Sequence, residues 1–372
     1  MKKIKFAIIG CGRISYRHIE AILANPGAEL ISVCDLNLDL AKERTRGLKV
    51  NLYQDYNVML TKEDIDIVNV MTPSGMHAEH SMDIINKYKK HLVIEKPMCL
   101  NVSEGIKLLE TAKRNKVKLF IVHQNRFNKA VQKIKQSIDA DLLGKLVIGT
   151  IRIRWSRGQA YYDRDPWRGT YALDGGVLTN QAIHHIDLLR FLLGEVESLS
   201  AIAATKLVDI EAEDTACVWL RFQNGALGII EATTAIRPLN KDLEASISII
   251  GEKGTAIAEG ASVNKLTTWT LEGGMDLSKY CETPPNVYGF GHNNIIDNAV
   301  EALTGSADPS ITGNDALKTI KLLSAIYRSI ELGGKEIRLK DNPISERLGI
   351  IGNRNDLADL YRTDIMLGNK RR

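Results

Sequence analysis

The pair Glu95-Lys96 stands directly after a short apolar segment and is followed by Pro97. Proline disfavours the helical conformation of the residue before it, so we expect Lys96 to be extended. An ammonium group at the carboxyl edge of a parallel sheet could exchange a proton or stabilise a developing alkoxide. The alternative interpretation is a surface ion pair at the end of a strand.

Residues 178–193 contain a second candidate group. At roughly 100° per residue on a helix, Asn180, His184 and Asp187 form a narrow polar stripe bordered by apolar residues. A histidine with an amide and a carboxylate one turn to either side is a candidate general base, and Asn180 or Asp187 would fix its tautomer and pKa. A buried histidine satisfied by Asp187 for structural reasons is the alternative. A zinc site is disfavoured because the stripe offers only two good ligands, so we predict no metal.

The run Gly10-Cys11-Gly12-Arg13-Ile14-Ser15 follows the first predicted strand and opens the first predicted helix, as a dinucleotide-binding fingerprint requires. Gly10 would allow the tight turn, and Gly12 would let main-chain N–H groups approach a pyrophosphate at the positive end of the helix. Ser15 replaces the usual third glycine with another small residue. An ordinary turn that happens to contain glycines is the alternative.

Asp35 ends the second predicted strand, where its carboxylate could accept hydrogen bonds from ribose hydroxyls, although it could instead cap the next helix. No cation follows it directly to bind a 2′-phosphate, which favours NAD over NADP, while nearby Lys42 and Arg44 leave NADP open. The predicted cofactor-binding residues are Gly10, Gly12, Arg13, Ile14, Asp35, Thr72, Pro73, Glu95 and Lys96.

An aromatic and arginine-rich segment spans residues 156–176. Aromatic faces can stack on sugar rings, and guanidinium groups can hold phosphate or carboxylate. Aspartates in the same segment offset the arginines, which argues against a nucleic-acid groove. Some of these aromatics are expected only to pack the loop. The predicted substrate-binding residues are Arg157, Tyr162, Trp167, Arg168, Asn180 and His184.

The strands and helices that would position these groups follow one pattern up to about residue 122 and another pattern after it. Apolar strands at residues 5–9, 30–34, 66–71, 91–94 and 117–122 alternate with helices at 15–24, 38–46, 76–88 and 102–114, which is typical of parallel βαβ units. Later come a helix at 127–138, an extended run at 145–155, strands over 196–270 with an Asn-Gly hairpin, and helices at 293–303 and 316–330. We therefore predict an α/β protein with a Rossmann domain at 1–122, an α/β domain with an open, mostly antiparallel sheet at 123–340, and a tail at 341–372.

The composition excludes several classes of protein. The 372 residues are 44% hydrophobic and 25% charged, which is typical of a folded protein of two domains. The net charge of +4 disfavours a nucleic-acid partner, and no apolar run is long enough to span a membrane. The five cysteines are scattered without a CxxC spacing, so they are expected to be reduced. These features, with no signal peptide, predict a cytoplasmic protein.

Taken together, the glycine turn, Asp35, Glu95-Lys96-Pro97, and Gly175-Gly176 leading to the Asn180, His184 and Asp187 stripe resemble the Gfo/Idh/MocA oxidoreductases, the glucose-fructose oxidoreductase and inositol dehydrogenase family. The resemblance spans residues 1 to about 340. It implies a Rossmann domain followed by a domain whose sheet carries substrate contacts on one face and often an oligomer interface on the other. A homodimer or homotetramer is therefore expected.

The resemblance implies that Lys96, His184 and Asn180 are catalytic. Asn180 departs from the commoner aspartate, which shifts proton transfer towards Lys96 and His184. An asparagine here is similar to the branch acting on nucleotide-activated sugars, including UDP-N-acetylhexosamine and UDP-N-acetylglucosaminuronate 3-dehydrogenases.

We therefore expect an NAD-dependent dehydrogenase that oxidises a ring hydroxyl, at C3, of a nucleotide-linked or amino sugar. The alternatives are an NAD(P)H-dependent ketoreductase and an inositol or free-sugar dehydrogenase of the same family. Ranked lower are a glycosidase that uses tightly held NAD as a transient oxidant and a non-catalytic nucleotide sensor.

Overall fold

The computed structural model describes residues 3–239, 242–284, 288–305 and 307–350. Within these residues the first third forms a parallel sheet of six strands in the order β3-β2-β1-β4-β5-β6. This order reverses direction beside β1, and ligands of open α/β sheets bind at the carboxyl ends of the strands at such a point. The strands are β1 (Ile4–Ile9), β2 (Ala28–Cys34), β3 (Asn51–Tyr53), β4 (Ile67–Val70), β5 (His91–Ile94) and β6 (Leu119–Ile121).

Five helices connect these strands in the described part of the chain: α1 (Ser15–Ala24), α2 (Leu38–Arg44), α3 (Tyr56–Lys62), α4 (His77–Tyr88) and α5 (Val102–Asn115). Asparagine side chains cap two of them: Asn37 accepts from the N–H groups of Asp39 and Leu40 at the start of α2, and Asn101 accepts from that of Ser103 in α5. The predicted parallel fold is confirmed. The prediction missed β3 and α3, which are short and partly polar.

The second part of the chain builds a larger, mixed sheet around one long strand. Its order is β13-β12-β11-β7-β10-β9-β8-β14, and only β7 and β10 pair in parallel among the described strands. The strands are β7 (Leu146–Arg154), β8 (Val196–Ala204), β9 (Thr215–Phe222), β10 (Leu227–Thr233), β11 (Glu244–Gly251), β12 (Gly254–Glu259), β13 (Lys265–Trp269) and β14 (Ile337–Arg338). The predicted hairpin joins β9 to β10, with Gly225 at φ +85° in its turn.

The helices of this part are α6 (Lys129–Asp139), α7 (Gln159–Tyr162), α8 (Val177–Asn180), α9 (Ile183–Leu193), α10 (Gly291–Leu303) and α11 (Gly313–Glu331). Helix α9 packs on β7 and α11 packs on β8, which covers one face of the sheet. The single helix expected over residues 178–193 is wrong, because the chain turns at Gln181 and Ala182 between α8 and α9.

The last two helices return to the Rossmann part. Helix α10 packs against α1, and α11 packs against α5. Asn25, just after α1, donates from its amide to Asp297 of α10 at 2.6 Å. The division of the chain at residue 122 stays a prediction.

The first residues of the predicted tail pack on α11. The carboxylate of Glu331 accepts hydrogen bonds from the main-chain N–H groups of Glu346 and Arg347, and Leu348 is buried. The rest of the predicted tail, residues 351–372, lies outside the described residues. In the ranges described, no helix combines the length and the apolar character that crossing a membrane requires.

Candidate active site

A cleft of about 1410 Å³ lies at the carboxyl edge of the parallel sheet and extends to the aromatic loop of the second part. It contains every predicted site residue except Tyr162. Those residues are Gly10, Gly12, Arg13, Ile14, Asp35, Thr72, Pro73, Glu95, Lys96, Arg157, Trp167, Arg168, Asn180 and His184. One continuous site therefore joins the glycine turn to the candidate catalytic groups.

The glycine turn has the geometry that a dinucleotide requires. Gly10 has φ +92°, and a Cβ there would lie 2.5 Å from the carbonyl oxygen of Met71, so only glycine fits. A Cβ on Gly12 would meet nothing within 4 Å, which leaves the main chain open to a ligand. Asp35 accepts from the N–H of Cys11 at 2.7 Å and from that of Asn37 at 2.8 Å. Each carboxylate oxygen keeps further acceptor capacity for a hydroxyl.

Lys96 connects the two parts of the chain inside the cleft. Its Nζ donates to the main-chain oxygen of Asn180 at 2.7 Å, and its own N–H donates to Oε2 of Glu95 at 3.0 Å. Burial lowers the pKa of Lys96, and the charge of Arg168 lowers it further, while Glu95 and Asp174 oppose both effects. The neutral amine is therefore easier to reach than in a free lysine.

A buried hydrogen-bonded cluster supports Glu95. Its Oε1 lies 2.8 Å from Nε2 of His18 and 3.4 Å from Nε2 of His292, and Asn69 donates to Nδ1 of His18 at 2.9 Å. Burial alone would raise the pKa of Glu95, but the two histidines outweigh it and hold the pKa well below its usual range. Glu95 is therefore a carboxylate beside Lys96.

The spacing of His18, Glu95 and His292 would also suit a metal ion. With Asn69 donating to Nδ1 of His18, however, the proton of that ring lies on Nε2, where it serves the bond to Glu95. We therefore interpret the cluster as a hydrogen-bond relay. Sequence spacing does not predict this cluster, because its members lie far apart in the chain and a single histidine on an apolar helix face does not indicate its partner.

A further buried histidine, His77, was also missed. Its ring nitrogens lie 2.7 Å from the main-chain oxygens of Thr72 and Pro97, so it ties together the loops that follow β4 and β5.

His184 lies beside Lys96 in the cleft and is neutral. Burial lowers its pKa well below the usual range, and the nearby charges of Lys96 and His123 act in the same direction. Its Nε2 is 3.4 Å from the amide nitrogen of Gln124, and its buried Nδ1 has no hydrogen-bond partner among the described residues.

The predicted tuning of His184 by Asn180 or Asp187 is wrong. Asp187 accepts two hydrogen bonds from Arg126, at 2.6 and 2.7 Å, and one from Thr319 at 2.7 Å. The amide of Asn180 donates instead to Asp174. The turn between α8 and α9 separates Asn180 from the other two residues of the stripe, and on α9 the carboxylate of Asp187 is already occupied by Arg126 and Thr319.

The aromatic loop presents Arg168 between two rings, with its guanidinium carbon 4.6 Å from the ring centres of both Tyr161 and Trp167. Arg168 also donates to Asp165 and to the hydroxyl of Tyr161, each at 2.7 Å. The prediction of Tyr162 as a cleft residue is wrong. Its side chain is buried, with its hydroxyl 3.0 Å from that of Thr234, and Tyr161 lines the cleft instead.

Two family models match this chain. Residues 4–123 match the oxidoreductase family with an NAD-binding Rossmann fold, and residues 131–257 match the GFO/IDH/MocA C-terminal domain. The protein therefore belongs to the Gfo/Idh/MocA oxidoreductases and is an NAD-dependent dehydrogenase.

Individual relatives include dehydrogenases solved with a UDP-sugar and inositol dehydrogenases. The chain is similar to the WlbA dehydrogenase of Bordetella pertussis, solved with NADH and UDP-GlcNAcA, at 36% identity and a TM-score of 0.86, with 91% of this chain and 98% of that one covered. The corresponding complex from Chromobacterium violaceum gives 36% identity and a TM-score of 0.83, covering 91% and 96%. The myo-inositol 2-dehydrogenase of Thermotoga maritima is 28% identical, over 88% of this chain and 96% of its own length.

Proposed function

We propose that this enzyme oxidises a ring hydroxyl, at C3, of a UDP-linked N-acetylated amino sugar or its uronate. The observation that carries the proposal is the continuity of the cleft, which joins the glycine turn, the pair Lys96 and His184, and an arginine and aromatic loop. Such a loop suits a sugar that carries phosphate or carboxylate groups. The 36% identity to two dehydrogenases solved with UDP-GlcNAcA supports the same choice of substrate.

In this proposal the residues along the carboxyl edge of the parallel sheet would hold the cofactor. The main-chain N–H groups near Gly12, with Arg13 and Ile14, would bind the pyrophosphate at the start of α1. Asp35 would accept from the ribose hydroxyls, and Thr72 and Pro73 line the wall of the cleft at the end of β4. Bound NAD supplies the hydride acceptor for the carbinol carbon.

Lys96 takes the hydroxyl proton. Of the two candidate bases, Lys96 holds a proton more readily than His184, because the pKa of His184 lies well below its usual range while Lys96 keeps two nearby carboxylates. The ammonium formed is held by the main-chain oxygen of Asn180 at 2.7 Å. Neutral His184 holds and orients the substrate hydroxyl by a hydrogen bond.

The test is a substrate panel followed by NADH absorbance. UDP-GlcNAcA and UDP-GlcNAc are compared with free N-acetylglucosamine and myo-inositol, and the oxidised carbon is located by mass spectrometry after borodeuteride reduction. We expect NAD reduction with a UDP-sugar. Turnover confined to the free sugar or inositol would contradict the proposal.

A free-sugar or inositol dehydrogenase is the second candidate, because the relatives include inositol dehydrogenases at 26–28% identity. The same panel separates the two. A ketoreductase would instead consume NADH with the 3-keto sugar, and a glycosidase would release sugar without net NADH.

We also propose that the protein forms a homodimer or homotetramer through the uncovered face of the larger sheet. Large apolar side chains there are unusually exposed for their type, including Trp219 at 43%, Ile229 at 44% and Ile202 at 64%. Exposed apolar patches of this kind mark interfaces. Trp219→Lys should lower the molar mass measured by light scattering, whereas an unchanged mass would place the interface elsewhere.

A further inference from the structure

Asp174 lies directly behind Asn180 and is 2% exposed. One carboxylate oxygen accepts from the side-chain amide of Asn180, and the other accepts from the N–H of Gly169 at 2.9 Å. The turn that carries it is closed by the N–H groups of Asp174 and Gly175, which donate to the main-chain oxygen of Thr170 at 3.1 and 2.8 Å. The main chain therefore holds this carboxylate in place.

Asn180 links Asp174 to Lys96. Its side chain donates to Asp174, and its main-chain oxygen accepts from Nζ of Lys96 at 2.7 Å. Burial raises the pKa of Asp174 to about 6, although Lys96 lowers it, and Asp174 in turn raises the pKa of Lys96. The carboxylate of Asp174 therefore binds the side chain of Asn180, while the amine of Lys96 binds the main-chain oxygen of the same residue.

We propose that Asp174 is a positioning residue for the reaction proposed above: through Asn180 it places Nζ of Lys96, and its charge sets how firmly Lys96 holds its proton. The proposal rests on the assignment of Lys96 as the proton acceptor. Asp174 thus provides the carboxylate that residue 180 lacks, from a position behind the side chain of Asn180.

Other titratable side chains lie near Lys96 and Asp174. Glu95, Arg168 and His184 act on or beside Lys96, but Glu95 is bound by His18 and His292, and Arg168 is paired with Asp165. These partners do not change when Asp174 is altered.

Asp174 also faces charges of its own. Arg168 and Lys96 favour its ionised form. Tyr161 and Tyr162 are neutral near pH 7, as tyrosines are, and burial raises their pKa values further. Buried Glu213 lies beyond the Gly175-Gly176 turn and has a pKa raised to about 7 by burial, with Asp174 contributing. Above that range both carboxyls are ionised, so Asp174→Asn removes a full negative charge from beside Lys96.

The test measures the titration of Lys96 without any substrate. The NAD-free protein is pulsed with acetic anhydride at a series of pH values, and acylation of Lys96 is quantified by peptide mass spectrometry. Asp174→Asn should lower the midpoint by about one pH unit, because an opposite charge is lost. Asn180→Leu removes the amide that donates to Asp174 and keeps the main-chain oxygen that accepts from Lys96. Without that donor the carboxyl of Asp174 is harder to ionise, so this variant should also lower the midpoint. Asp214→Asn is the matched control, since Asp214 is also a buried aspartate bonded to main-chain N–H groups but lies outside the cleft.

A midpoint in Asp174→Asn equal to that of the control, in protein that still binds NADH, would overturn the proposal. Should Asp174→Asn fail to fold, an unchanged or higher midpoint in Asn180→Leu overturns it instead. With an active substrate, the acid limb of the pH profile of kcat/KM should move with the labelling midpoint. Labelling that shifts as expected, in a protein that oxidises none of the sugars, would support the role of Asp174 and reject only the proposed substrate.

Discussion

Replacing Lys96 with methionine separates chemistry from binding. The change removes the Nζ that donates to Asn180 at 2.7 Å and keeps most of the apolar stem. Loss of a positioned acid or base slows proton transfer by about 10²–10⁴-fold, which corresponds to about 3–5 kcal/mol in the barrier. The main-chain oxygen of Asn180 loses one hydrogen bond, which costs stability only about 1 kcal/mol. Glu95 keeps its own histidine partners, so the fold and NADH binding should persist.

The assay is a single-turnover measurement of NADH formation with UDP-GlcNAcA, accompanied by an NADH titration followed by fluorescence. Lys118→Met is the matched control, because Nζ of Lys118 also donates to a main-chain oxygen, that of Ala302, at 2.9 Å but outside the cleft. We expect a rate loss in Lys96→Met alone and equal NADH affinity in both variants. A Lys96→Met enzyme that keeps more than about a tenth of the rate would refute the assignment of Lys96 as proton acceptor.

Three further outcomes follow from the same geometry. Oxidation needs Lys96 as the neutral amine, so kcat/KM should fall about tenfold per pH unit below the pKa of Lys96. Burial lowers that pKa, so a pH series should place this acid limb nearer neutrality than the pKa of a free lysine would. Keto reduction needs the ammonium and should show the opposite trend with pH. Gly10→Ala places a Cβ 2.5 Å from a main-chain oxygen at φ +92°, and an NADH titration should show at least about a tenfold weaker Kd, whereas an unchanged Kd would contradict the close approach. Tyr161→Phe removes a hydroxyl that lines the cleft and should raise KM. Tyr162→Phe removes a hydroxyl outside the cleft, so it should lower the free energy of unfolding in urea by about 1 kcal/mol and leave KM unchanged. A raised KM in Tyr162→Phe but not in Tyr161→Phe would contradict the assignment of Tyr161 to the cleft.

The elements that the sequence predicted best are those with strong periodicity. Helix α1 and strand β5 have the predicted bounds, because their apolar residues follow a clear pattern and the glycine turn marks where α1 begins. The three-residue strand β3 and the short helix α3 have too few buried residues to make a pattern. Only the cap of α3, where Asp55 accepts from the N–H of Asn57, left a local signal.

The contacts among the site residues were harder to predict from the sequence than the helices and strands. A helical wheel assumes an unbroken helix, so a two-residue turn before α9 was enough to separate Asn180 from His184. Asp187 lies on the same helix as His184, but it binds Arg126, which comes from a distant part of the chain. Tyr161 and Tyr162 are adjacent and chemically equal, and only the course of the loop decides which one lines the cleft. The relay on Glu95 joins side chains from the two ends of the chain, a pairing that spacing along the sequence does not encode.

The packing of α10 on α1 and of α11 on α5 has a consequence for synthesis of the chain. When the ribosome has completed the parallel sheet, the helices that cover one side of α1 and α5 have not yet been made. Glu95 also lacks one of its two histidine partners at this stage, because His292 lies almost two hundred residues downstream. The nascent Rossmann part therefore exposes apolar helix faces until α10 and α11 have emerged, and the site is complete only after these two helices have packed against α1 and α5.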